Sequence, residues 1–187
     1  GYAESSAHHN VITYNHIHHI GLGQLNDMGG IYCLGISPGT VLRGNVINDV
    51  ISHPRLYGGW GLYTDEGSTD IVLENNLVYN TTTGGFHQHY GRDNLVRNNI
   101  FAYSHGEQII RTREEEHRSF VFEGNIVYFN NGKLLGSNWV KPGFDINKNV
   151  YWDTTGAPLD FKGKTFAEWQ ALGSDKDSLH AGPLFAD

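Results

Sequence analysis

The chain has 187 residues and a formal net charge of −7, with 39% hydrophobic and 18% charged residues. That length supplies one domain with a real core, and the composition excludes a disordered tail. Lys and Arg form no stripe, which excludes a nucleic-acid backbone as partner; no apolar run reaches bilayer length; and the single Cys33 excludes an internal disulfide and a cysteine-cage zinc site.

Read in chain order, one phrase recurs: an aliphatic residue, two variable positions, Asn, then another aliphatic. The first copy is Ala7 to Val11 around Asn10, and the next is Leu42 to Val46 around Asn45. Clearer copies follow around Asn76, Asn99, Asn125 and Asn149. The position three before each Asn (Ala7, Leu42, Leu73, Val96, Phe122, Ile146) is apolar throughout. So is the position after it (Val11, Val46, Leu77, Ile100, Ile126, Val150). Both positions read as core. The intervening runs are short, β-branched and aromatic, with no helical period. A leucine-rich repeat would need a leucine ladder, and Leu is scarce. The pattern predicts an all-β, right-handed parallel β-helix, a single-stranded solenoid whose coils climb ~4.8 Å each. Each repeated Asn is expected at a tight bend, tolerating left-handed backbone and bonding to the next Asn in the stack.

The end of the chain breaks the pattern. Thr165 and Glu168 have capping-box spacing ahead of a short amphipathic helix over Phe166–Leu172, with Phe166 and Trp169 on its apolar face. This divides the domain into coils over residues 1–160 and a cap segment over 161–187. The N-terminus shows no equivalent cap. The chain is therefore expected to be the C-terminal part of a longer β-helix, stacked against upstream coils of its own.

Candidate chemistry collects on one flank. Counting back from Asn45, Asn76 and Asn99 without gaps aligns Tyr32, Tyr63 and Phe86 in one row. Leu34, Asp65 and Gln88 form a second row, and Gly35, Glu66 and His89 a third. With Ile31, Cys33 and Leu62 inward, alternation turns Tyr63, Asp65, Phe86 and Gln88 outward and His87 inward; the opposite parity exposes His87 and His89. Asp27 precedes the strand of its coil, one coil before Asp65. Neighbouring coils would hold the two carboxylates ~5–10 Å apart, a range that covers both glycosidase geometries. Asp27 and Asp65, with Glu66 beside them, are the catalytic candidates. Trp60, Tyr63, His87, Gln88, His89, Arg111 and Arg113 are the substrate-binding candidates. Asp65-Glu66-Gly67 also fits an acidic turn, and Glu114–Glu116 a solvated loop. His16, His18 and His19 lack acidic or Cys partners at ligand spacing, so no metal site is expected.

The phrases NDMGGIY, GGWGLYTDEGS, TTGGFHQHYGRDNLVRNNIF and RTREEEHRSF resemble secreted bacterial β-helix proteins of the pectate-lyase-like superfamily, close to glycoside hydrolase family 141. The resemblance spans roughly residues 10–185. It implies a secreted, periplasmic or cell-surface location and two aspartates as acid and base or nucleophile, which match Asp27 and Asp65. Leu34-Gly35 departs from that pattern where an acidic pair is usual. The expected function is a glycoside hydrolase acting on polysaccharide without a cofactor. The alternatives are a lyase on uronate polymers, which could use calcium, and a non-catalytic carbohydrate-binding stack.

Overall fold

The computed structural model describes residues 1–185; Ala186 and Asp187, the last two positions of the expected cap segment, lie outside the described residues. The chain winds as a right-handed parallel β-helix of three sheets. The first sheet runs from Val11–Thr13 through Ile36–Arg43, Ser68–Glu74, Asn94–Arg97 and Phe120–Glu123 to Phe144–Asn147. The second runs from His16–Ile20 to Leu179–His180. The third stacks Met28–Cys33, Gly59–Thr64, Gly84–Gln88, Glu107–Arg111 and Lys133–Ser137.

Parallel registration puts three columns of apolar side chains inside. They are Leu42, Leu73, Val96, Phe122 and Ile146 from the first sheet; Ile47, Val78, Phe101, Val127 and Tyr151 from the second; and Ile31, Leu62, Phe86, Ile109 and Leu135 from the third. All are buried, most of them completely. A fully buried side chain such as Phe101 contributes roughly 2–3 kcal/mol of apolar burial. The repeated phrase is therefore half corrected. The residue three before each ladder Asn does face the core. The residue directly after it (Val46, Leu77, Ile100, Ile126, Val150) is only half-buried, because alternation turns it outward and sends the following residue in.

The asparagines stack as expected from Asn45 onward. Each backbone N–H and each Nδ2 of Asn45, Asn76 and Asn99 donates to Oδ1 of the next Asn at 2.9–3.0 Å. Asn125 continues the ladder to Asn149. Two details differ from expectation. The first rung is Asn15, whose N–H and Nδ2 donate to Asn45 Oδ1, and not Asn10, whose amide reaches Ser37 and Thr40. The left-handed residue is the one before each rung: Tyr14, Gly44, Asn75, Asn98, Gly124 and Lys148 have φ of 54–65°. That preceding residue makes the bend, which frees the ladder Asn to turn its amide inward.

The ladder ends on Asp175 and Ser178, which take the Asn149 amide and backbone N–H. Asp175 is fully buried and also accepts from Tyr151 Oη and Trp169 Nε1. Burial pushes its carboxyl up from the ordinary value while these donors oppose the rise. The helix spans Phe166–Ala171, with Thr165 and Glu168 forming the capping box and Leu172 as C-cap. Its Trp169 lies parallel to Phe144 and Phe161, closing the C-terminal end of the core.

Candidate functional site

The site sits on the outside of the third sheet, and glycine decides which side chains reach it. In three consecutive coils two adjacent residues face inward: Gly30-Ile31, Gly61-Leu62 and Gly85-Phe86. A Cβ at Gly30 or Gly61 would overlap Ile47 or Val78, and one at Gly85 would sit 2.8 Å from Phe101. Only glycine lets the strand place both neighbours inside, and the residue after the pair then points out. Those residues are Tyr32, Tyr63 and His87, which pair laterally in one outer column. Trp60, before its glycine, also points out, between Gly29 and Gly84 of the adjoining coils.

The outer column differs from the sequence alignment by one residue. Tyr63 lies beside His87, and Leu62 beside Phe86. The cause is the turn into the first sheet. Asp65-Glu66-Gly67 is replaced in the next coil by only His89-Tyr90, since Thr64 pairs with Gln88 while Ser68 pairs with Gly91. A gap-free alignment slips there, and a one-residue slip inverts every side chain. Phe86 and Gln88 accordingly face inward, and His87 faces outward.

Asn26, Asp27, Tyr57, Tyr63, Asp65, Glu66, His87, His89 and Thr112 line a groove of about 350 Å³, within the size range of small-ligand sites (~300–1,000 Å³). Tyr63 Oη donates to Asp27 Oδ1 at 3.3 Å, and the Asp65 carboxylate lies close enough to raise the pKa of the same phenol. Tyr32 Oη donates to Asp65 Oδ2 at 2.5 Å. Each carboxylate thus accepts from its own phenol, and the two phenol rings meet edge to face with centroids 5.1 Å apart. Burial first, and then the neighbouring carboxylates, push the Tyr63 and Tyr32 phenols well above the ordinary value, so both remain proton donors.

His87 forms the floor. Its ring stacks on Tyr63 at 4.6 Å and 13° and packs on Trp60 at 4.3 Å. Burial, followed by the proximity of His89, drives its pKa down from 6.5 to about 3, so it is neutral. His87 Nε2 and His89 Nδ1 both meet Thr112 Oγ1, at 2.9 and 2.7 Å. A hydroxyl has one proton, so at most one imidazole accepts from Thr112 and the other must donate to it. The remaining His87 nitrogen, Nδ1, is buried without a partner.

The structure thus brings together Asp27, Tyr63, Asp65, Glu66, His87 and His89. It keeps four expected residues away. Trp60 is fully buried behind the ring cluster. Gln88 points into the interior and bonds Thr64 and Asn94. Arg111 is fully buried, donating to the carbonyls of Asn138, Lys141 and Pro142 and pairing with Glu114, so it braces a loop. Arg113 lies over the Tyr90 ring, 4.5 Å from its centroid, and does not line the groove. Sequence reasoning missed Asn26, Tyr57 and Thr112. Tyr57, 57% exposed, comes from the longer excursion between the second and third sheets of its coil, and that extra length was its available signal. Tyr32, 46% exposed, was aligned correctly with Tyr63 but not recognised as a partner of Asp65.

Among the described residues no group of three or more His, Cys, Asp or Glu side chains is placed to hold a metal ion. No family model, curated protein or solved structure matches the chain.

Proposed function

We propose that the groove is a carbohydrate site and that the protein is a glycoside hydrolase, in the manner of the pectate-lyase-like and family 141 β-helices that its phrases resemble. The observation that carries this reading is the pair of carboxylates lining one groove, each accepting from a tyrosine phenol, with exposed aromatic rings beside them. In such a pair one carboxyl protonates the glycosidic oxygen while the other attacks the anomeric carbon or activates water. Asp65, held by Tyr32 at 2.5 Å, takes the nucleophile or base role because that bond orients its carboxylate. Asp27, exposed on its loop and bonded only at 3.3 Å, takes the acid role. Tyr32 and Tyr57 offer the accessible ring faces on which a sugar stacks.

A lyase acting on uronates fits less well, because the lining holds three carboxylates and no Lys or Arg to meet the substrate's charge. The test is hydrolysis of a polysaccharide panel by the wild type, Asp27→Asn and Asp65→Asn. Each variant should bind the cleaved glycan and lose about 10³-fold in kcat. Full activity in either variant removes that residue from the mechanism, and an unsaturated product would replace hydrolysis with elimination.

A further inference from the structure

We infer that the N-terminal end of the stack is a docking face, and that its occupant is one further coil of parallel β-helix from the same polypeptide, laid on it in the same direction. All three sheets end there, on Val11–Thr13, His16–Ile20 and Met28–Cys33. Each of these edge strands is paired on one side only, so its outer backbone groups have no strand to meet. The core is open at the same place. Ile12, Ile17 and Ile20 are only half-buried, while their lateral partners in the next coil, Leu42, Ile47 and Val50, are at most 1% exposed. The residues before Val11 do not close this end. The Gly1 amine donates to the Glu66 carbonyl and Tyr2 Oη to Glu115, so the segment runs along the flank of later coils.

The asparagine ladder defines what the occupant offers. At Asn45, Asn76 and Asn99, Oδ1 accepts the backbone N–H and Nδ2 of the rung before. Their own Nδ2 groups reach carbonyls of the preceding coil: Ile12, Leu42 and Leu73. Asn15 has neither contact. Among the described residues nothing donates to its Oδ1, and its Nδ2 folds back on the Thr13 carbonyl of its own coil at 3.0 Å. Its N–H and Nδ2 are committed to Asn45. The ladder therefore has a polarity, with donors toward the C-terminus and acceptors toward the N-terminus, and the open end shows an acceptor. The complement is a coil whose ladder residue presents a backbone N–H and a side-chain amide, as asparagine does. A second copy of the chain does not supply it. Its N-terminal end would bring acceptor against acceptor. Its C-terminal end has its donors taken, since Asn149 gives its N–H to Ser178 and its Nδ2 to Asp175, and Trp169 of the cap helix closes the core there. A coil N-terminal to Asn15 in the same polypeptide repeats the contact that successive coils already make.

The test adds such a coil. In one variant residues 1–15 are replaced by a copy of residues 68–99, which sets a second asparagine rung above position 15. In its control the same residues are replaced by a copy of residues 94–99 alone, which keeps the junction and the first rung without the extra coil. The extra coil should raise the melting point by about 5–10 °C over the control and slow amide exchange in His16–Ile20 and Met28–Cys33 by at least about tenfold, because stacked coils gain stability from each neighbour. Equal melting points and equal exchange in the two variants overturn the inference. So does the unmodified chain if those two strands are already protected as well as Val46–Val50 and Gly59–Thr64 beside them. Sedimentation of the unmodified chain separates the remaining occupant: a dimer whose formation protects the edge strands would put a second copy on the face and overturn the inference, whereas a monomer with fast-exchanging edges supports it.

Discussion

Replacing Asn99 with alanine is the sharpest perturbation of the stack. Its side chain accepts from the backbone N–H and Nδ2 of Asn76, both at 2.9 Å. It donates to the Leu73 carbonyl at 2.9 Å and to Asn125 Oδ1 at 3.0 Å. Asn99 is 1% exposed, so water cannot replace these partners. Four hydrogen bonds at roughly 0.5–1.5 kcal/mol each, with the Asn76 N–H left buried and unpaired, give a loss of about 3–5 kcal/mol. For a chain of this size that corresponds to a melting point lowered by roughly 10 °C. Asn10 is the control. It is exposed and bonds only hydroxyls near Ser37 and Thr40, so Asn10→Ala should cost under about 1 kcal/mol. Urea denaturation followed by circular dichroism measures both. Equal losses in the two variants would refute the ladder as the structural spine.

Two further outcomes follow from the groove wall. As pH falls, protons bind His87 in the unfolded chain first, because its native pKa is depressed to about 3. Its contribution is complete above pH ~6.5 and drains away between there and about 3, by up to ~5 kcal/mol. The non-titrating His87→Phe variant should lose that part of the acid slope, and parallel stability profiles for the two proteins would contradict the assignment. Gly61→Ala should destabilise by roughly 1–3 kcal/mol, since its methyl overlaps Val78 and presses on the Gly85 carbonyl at 2.7 Å; thermal denaturation at or above the wild-type midpoint would show that the strand does not need glycine there.

The coil repeat was legible because burial and the ladder impose it on every turn. The first rung was misread for a physical reason. The position after a ladder Asn faces outward, so His16 is allowed after Asn15, whereas a search for apolar flanks settles on Asn10 and Val11. The acids and aromatics of the groove were visible as residue types. Their faces were not, because two local irregularities override simple alternation: the inward glycine pairs and the turn shortened at His89-Tyr90. Arg111 looked like a ligand contact because charge usually means surface, yet its guanidinium serves loop carbonyls and lies over Phe144, 4.8 Å from the ring centroid. The C-terminal helix was readable from Thr165 and Glu168 because a capping box is a local signal, independent of register.

Ring-to-ring proximity at the groove floor reports most directly on the register that assembles the site. Nuclear Overhauser contacts from the Tyr63 ring should reach the His87 and Tyr32 rings, whose centroids lie 4.6 and 5.1 Å away. Contacts from Tyr63 to Phe86 in place of His87 would mean that the coils are offset by one residue, and the groove described above would not exist.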